Sequence, residues 1–304
     1  MISLQNHFYK TLSKALASIP EDNHEEVIID LNGETFHEQV TINKPHVTLK
    51  NGTVEYDLGA YEILSDGIKR GTFRTYTLFI DADHVKLDNV NVINSNGHHE
   101  GQAIALMIDG NDFVAENSLI SSYQDTIFLA PLPEKEYEAG GFRGPLEDRK
   151  RIMRNAWFEN CTVEGSVDFI FGGGLGVFHD CEIRSRNIDA EINGYVCAPS
   201  TPENEKYGFI FNECDFTSEK DMDDSVYLAR PWRHYGKCFI LNSKIGSHIK
   251  KEGYHDWNKP DSHETCEFKE YNTGEDLSLR VSWLKEVNKE DLKYISSLNK
   301  EDKK

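Results

Sequence analysis

The chain has 304 residues, 38% of them hydrophobic, and a net charge of −19. That length suits one large repetitive domain or two small ones, and the acidity argues against nucleic acid or an anionic membrane surface as a partner. No stretch approaches the roughly 20 apolar residues of a membrane span.

Residues 1–20 lack the basic and apolar regions of a signal peptide. The sequence as written therefore reads as cytoplasmic, or as secreted if a signal has been removed. Phe8, Leu12, Ala15, Leu16 and Ile19 recur at helical spacing, which predicts an amphipathic N-terminal helix belonging to the fold.

Short alternating segments follow, beginning at Leu87, Ala115, Phe158, Phe178, Phe211 and Leu241, most with Asn or another polar residue near a turn. Their starts are separated by 28, 43, 20, 33 and 30 residues, an irregular period of solenoid size. Such strands predict a parallel β-helix, in which each coil buries its inward side chains against the next. The pattern alone also permits a β-sandwich. Of the six cysteines, Cys161, Cys181 and Cys214 occupy equivalent places in these segments. Small buried hydrophobes explain them, with disulfides as the alternative, and no spacing suits a zinc site.

Several segments break the pattern. Gln102 opens Gln102-Ala103-Ile104-Ala105-Leu106, shortly after a polar His98-His99-Glu100. Asp125 stands alone in Ser122-Tyr123-Gln124-Asp125-Thr126-Ile127-Phe128. The stretch from Pro131 to Pro145, rich in proline, glycine and charge, cannot continue a coil and predicts an insertion over about residues 131–150 that leaves the solenoid beside Asp125. As a wall there, it is expected to shorten the groove at one end. Asp168 then lies inside the apolar run Gly165-Ser166-Val167-Asp168-Phe169-Ile170-Phe171-Gly172. The glycines from Gly172 to Gly176 predict a tight turn between coils, since no phosphate-binding Lys-Ser/Thr follows. Arg230 sits between apolar residues in Tyr227-Leu228-Ala229-Arg230-Pro231-Trp232. From Val281 onward, Leu284, Val287, Leu292 and Ile295 predict a C-terminal helix, with a charged tail over about residues 296–304. No linker divides the chain, so residues 1–304 are expected to form a single domain.

A lone buried carboxylate costs several kcal/mol unless it is paired or used. Two isolated acids and one isolated cation therefore suggest a site. No GxSxG elbow occurs, so a serine triad is the poorer reading. Two carboxylates can instead divide nucleophilic and proton-transfer work if their environments differ.

The Gln102, Asp125, Asp168 and Arg230 segments occur in the order and wording of the pectin methylesterases, the carbohydrate esterases that demethylate polygalacturonate. The chain resembles that family from about Phe8 to Trp283. Two positions depart from the family pattern. Glu34-Thr35-Phe36-His37-Glu38 lacks the glycine of a glycine-x-aromatic-x-acid motif, and Ala229 replaces the glycine before the arginine.

The resemblance implies an all-β, right-handed parallel β-helix that hydrolyses C6 methyl esters of polygalacturonate or oligogalacturonides through an aspartyl nucleophile, with no metal or organic cofactor. It further implies Asp168 as nucleophile, Asp125 as acid and base, Gln102 and Gln124 as oxyanion donors, and Arg230 as the partner of Asp168. Trp232, Phe171 and Tyr123 adjoin these groups and are candidates for stacking on sugar rings. Methyl-esterified pectin or oligogalacturonides are the expected partners, and a monomer is favoured. The alternatives are a polysaccharide lyase and a β-helix that binds pectin without turnover.

Overall fold

The computed structural model describes residues 2–4 and 7–298. Its strands stack in parallel to form a three-faced solenoid. One face is a seven-stranded parallel sheet: Val40–Ile42, Leu78–Ile80, Leu106–Ile108, Ile127–Leu129, Val167–Gly172, Gly194–Pro199 and Val226–Ala229. The other two faces share the long strands Val47–Tyr56 and Lys86–Asn94, which turn the corner between them.

That corner explains the asparagines. Asn51, Asn89, Asn117, Asn160, Asn242 and Asn272 have φ between 50° and 56°, a left-handed conformation that Asn adopts more readily than most side chains. Stacked, they bond coil to coil, as in Asn160 Nδ2 to Asn117 Oδ1 (2.8 Å) and Asn272 Nδ2 to Asn242 Oδ1 (2.8 Å). The residue after the corner points inward, and its backbone N–H is taken up by the next coil's side chain: Val90 donates to Ser118 Oγ, Cys161 to Cys181 Sγ and Cys214 to Ser243 Oγ. The cysteines thus fill positions that serine fills elsewhere, and all six are free and buried.

The register reproduces the spacing of the sequence segments with one adjustment. Leu87 pairs with Ala115, Ala115 with Phe158, Phe158 with Phe178 and Phe178 with Phe211. Phe211 then meets Ile240 rather than Leu241. The inward Phe158, Phe178 and Phe211 rings stack with centroids 4.5 and 4.8 Å apart, each burying the next along the core.

Two helices, both shorter than predicted, pack on the solenoid, the C-terminal one across the outer side of the strands that carry Trp157, Val177, Ile210 and Phe239. The N-terminal helix spans only Leu12–Ala17: Thr11 is its N-cap, the hydroxyl accepting from Lys14 N (3.3 Å), and the Glu38 carboxylate accepts from Leu12 N (2.7 Å) and Ser13 N (3.3 Å). The acid of the variant glycine-lacking motif therefore organises this end. Phe8 belongs to a preceding hairpin strand, His7–Tyr9, and is 66% exposed. The C-terminal helix, Lys289–Ser297, starts at a capping box of Asn288 and Asp291. Leu284 and Val287 pack nearby but precede it. The charged tail beyond Leu298 lies outside the described residues. No described helix is long and apolar enough to cross a membrane.

Candidate active site

A cavity of about 390 Å3 runs along the outer side of the seven-stranded sheet, lined among others by Gln102, Gln124, Asp125, Asp168 and Arg230. Successive coils supply these groups. Gln124 and Asp125 precede the strand Ile127–Leu129, and Asp168 lies in the next strand, Val167–Gly172. Arg230 ends the Val226–Ala229 strand two steps further on.

Both acids have left-handed backbones, φ 65° at Asp125 and φ 50° at Asp168. At Asp168 the cause is a bulge. Val167 pairs with Tyr195, but Ile170 pairs with Cys197, so one extra residue is accommodated between them. Consecutive Phe169 and Ile170 both enter the core while Asp168 lines the cavity. Alternation alone does not reveal that arrangement. The glycine turn that follows lies against the preceding coil: a Cβ at Gly172 (φ 126°) would come within 2.1 Å of Leu129 O.

Arg230 grips Asp168 with both prongs, Nε to Oδ1 at 2.7 Å and Nη2 to Oδ2 at 2.6 Å. Its guanidinium also lies 3.7 Å from the ring centres of Tyr195 and Trp257. These planar contacts suit arginine and no other cation. Ala229, fully buried in its strand, leaves this geometry intact. Burial, and then the Asp168 charge, push the Asp125 carboxyl well above the usual carboxylate range, against smaller opposing effects of Arg230 and a hydrogen bond from Gln124. The site thus holds an arginine-paired carboxylate beside a carboxyl group favoured in its protonated form. Chemically, such a pair can supply a nucleophile and a proton.

Phe171 and Trp232 line the cavity, their rings 5.7 Å apart. Tyr123 does not line it; it lies beneath Arg186, whose guanidinium is 3.7 Å from its ring centre. The Tyr123 expectation is therefore corrected, since Tyr123 and Asp125 are neighbours in sequence without facing the same space. Phe73, Phe142, Arg233 and Trp257 also line the cavity. Sequence reading missed them as lining residues.

The insertion borders the cavity through Glu136, Tyr137, Glu138, Gly141 and Phe142. Its anchors lie far apart. Arg149 pairs with Asp81 and Asp109, which follow the Leu78–Ile80 and Leu106–Ile108 strands. Tyr137, at the other end, stacks on Arg233 at 3.8 Å. From the Asp81 coil to the Arg230 coil is five strand spacings, about 24 Å. The insertion therefore forms a long side wall rather than a plug at one end, and the expectation of a shortened groove is revised accordingly. Replacing Glu134–Gly141 with a short Gly/Ser turn should raise KM several-fold on pectin and on methylated oligomers alike. A changed ratio between the two KM values would instead restore the picture of a plug.

A model of the pectinesterase family matches residues 4–132 and 151–297, leaving the insertion unmatched. The chain is 26% identical over 288 residues to a pectinesterase of Petunia integrifolia, covering 90% of this chain and 71% of that protein. It spans only 27% and 46% of two Arabidopsis thaliana relatives. The fold is similar to a pectin methylesterase from carrot (TM-score 0.77, 24% identity, 92% of this chain and 85% of that one). It is also similar to a pectin methylesterase in complex with hexasaccharide VII (TM-score 0.75, 22% identity, 94% and 90%). The winding shared with these structures is the right-handed parallel β-helix. The chain belongs to the pectinesterase family of carboxylic ester hydrolases.

Proposed function

We propose that this chain, acting as one catalytic domain, hydrolyses the C6 methyl esters of polygalacturonate or its oligomers and releases methanol. The carrying observation is the two-pronged Arg230–Asp168 pair beside a buried Asp125 in one groove. In this reading an Asp168 oxygen attacks the ester carbonyl. Gln102 and Gln124 amides donate to the resulting oxyanion, at about 3 kcal/mol per donor in comparable sites. Asp125 gives its proton to the departing methoxide, leaving Asp168 joined to the C6 carbonyl as an anhydride. The Asp125 carboxylate then takes a proton from water, whose hydroxide attacks that carbonyl and frees Asp168 and the uronic acid. Trp232 and Phe171 supply an apolar surface for the sugar.

The test is methanol release from pectin and from methylated oligogalacturonides. An unsaturated product absorbing in the ultraviolet would indicate a lyase instead, and binding without methanol a non-catalytic module.

Arg230→Lys should lower kcat on the order of a hundredfold, because an ammonium cannot hold both carboxylate oxygens and misplaces the nucleophile. Melting temperature should change little by comparison. A variant retaining most of the wild-type kcat would make Arg230 a packing partner only.

A further inference from the structure

The Arg230 guanidinium is held at its edge and on both faces. Its edge meets Asp168 through Nε and Nη2, and the ring centres of Tyr195 and Trp257 each lie 3.7 Å from its central carbon. Two rings that close to one atom take opposite faces, because side by side they would overlap. Among the described residues no other cation has two rings this near: Arg186 has Tyr123 at 3.7 Å, and Arg233 has Tyr137 at 3.8 Å with Trp232 farther off at 4.9 Å.

The two rings come from different places. Trp257 follows the last strand of the seven-stranded sheet and lines the cavity, so it can meet a substrate as well as Arg230. Tyr195 belongs to the strand Gly194–Pro199 and is not among the residues that line the cavity. It pairs with Val167, the residue before Asp168, and its N–H donates to Ser166 O (3.0 Å). The next pairing, Cys197 with Ile170, already lies beyond the bulge that presents Asp168. Asp168 and the ring behind its partner therefore hang from adjacent rungs.

Two hydrogen bonds fix where the guanidinium lies relative to the carboxylate, but they resist tilting out of the shared plane only weakly, since the angular preference at a carboxylate oxygen is broad. A ring on each face blocks that tilt. The faces of a guanidinium are weakly hydrated, so the sandwich costs little desolvation and leaves the N–H edge free for the carboxylate. The reaction is sensitive to such control, because a misplacement of about 1 Å can cost about a hundredfold in rate.

We infer that Tyr195 is a positioning residue for ester hydrolysis: its ring, opposed by Trp257, keeps the Arg230 plane level so that both prongs hold Asp168 in line for attack, an inference that rests on the esterase reading above. The flat face of the ring does this work, and the hydroxyl is not needed for it.

The experiment compares Tyr195→Leu, which removes the flat surface, with Tyr195→Phe, which keeps it. On methylated hexagalacturonate, Tyr195→Leu should lower kcat about tenfold and leave KM within about twofold, whereas Tyr195→Phe should hold kcat within about twofold of wild type. Tyr227→Leu is the control. Its ring stacks on Tyr195, centroids 5.4 Å apart, rather than on the guanidinium, so a general loss of packing would lower kcat equally in both leucine variants. A second readout is the Arg230 Nε–H resonance in nitrogen NMR, identified by its absence from Arg230→Lys. It should stay sharp in wild type and Tyr195→Phe and broaden or vanish in Tyr195→Leu. Wild-type kcat in Tyr195→Leu, or an equal fall in Tyr195→Phe or in Tyr227→Leu, overturns the inference. So does a rise in KM with kcat unchanged, which would make Tyr195 a sugar contact. Should Tyr195→Leu not fold, Tyr195→Val, a better strand former, takes its place. If wild type releases no methanol, the esterase reading fails, and the NMR comparison alone decides whether Tyr195 orders Arg230.

Discussion

Asp168→Asn should abolish methanol release, with kcat falling on the order of a thousandfold or more, while the protein remains folded. The amide matches the carboxylate in shape and keeps one oxygen for Arg230, so the two-pronged contact at 2.7 and 2.6 Å becomes a single good hydrogen bond. It cannot attack an ester. Arg230 then stays half-buried with less neutralisation, which should lower the melting temperature modestly, since leaving one partner of a buried pair uncompensated is destabilising. The measurement is single-turnover methanol release beside a thermal melt. Wild-type release from a variant with a native melt would remove Asp168 as the nucleophile.

Asp125→Asn should be nearly as damaging to turnover on methyl esters, and it should show a signature that Asp168→Asn lacks. An ester with a better leaving group than methanol needs less help from an acid, so the variant should give a burst of acylation on such a substrate and then stall. Stability supplies a second signature. Burial and the neighbouring Asp168 charge raise the folded-state value of Asp125 well above its ordinary one. The wild type therefore bears no penalty below about pH 4, where the group is protonated in both states, and loses stability as pH rises through the raised value. Asparagine cannot ionise. The variant's melting temperature should match or trail the wild type near pH 4 and gain on it steadily toward pH 8. A constant difference across that range would mean that Asp125 is not held protonated by its surroundings, and equal rates on methyl and activated esters would mean that it transfers no proton.

Asp125, Asp168 and Arg230 were legible in the sequence because charge inside apolar strands is expensive and so conspicuous. The coil register was legible for a related reason. Asn at a left-handed corner, followed by a small inward residue, marks the same place in several coils. Leu241 led the reading one residue astray, because Ile240 and Leu241 are both apolar and only the pairing with Phe211 distinguishes them. The bulge at Asp168 left no trace in alternation, since a single additional residue changes the pairing without changing composition. Tyr123 was misplaced by equating sequence proximity with shared space, whereas its ring belongs to Arg186. Proline and glycine announced that the chain departs at residue 131. The direction it then takes depends on Arg149 finding Asp81 and Asp109 on other coils, a long-range pairing that local pattern does not encode.

The rungs of the seven-stranded sheet act as a ruler for the chemistry. Asp125 and Asp168 are one rung apart and Arg230 two rungs further, so their separations derive from a hydrogen-bonded repeat of about 4.8 Å rather than from the folding of any single loop. In a stack where each layer leans only on its neighbours, thermal opening begins at the two exposed ends and propagates inward. The Asp125 and Asp168 rungs lie inside that stack, whereas Arg230 follows its last strand, Val226–Ala229. The terminal hairpin and the N-terminal helix can fray and reclose many times while the distance between Asp168 and Asp125 stays fixed.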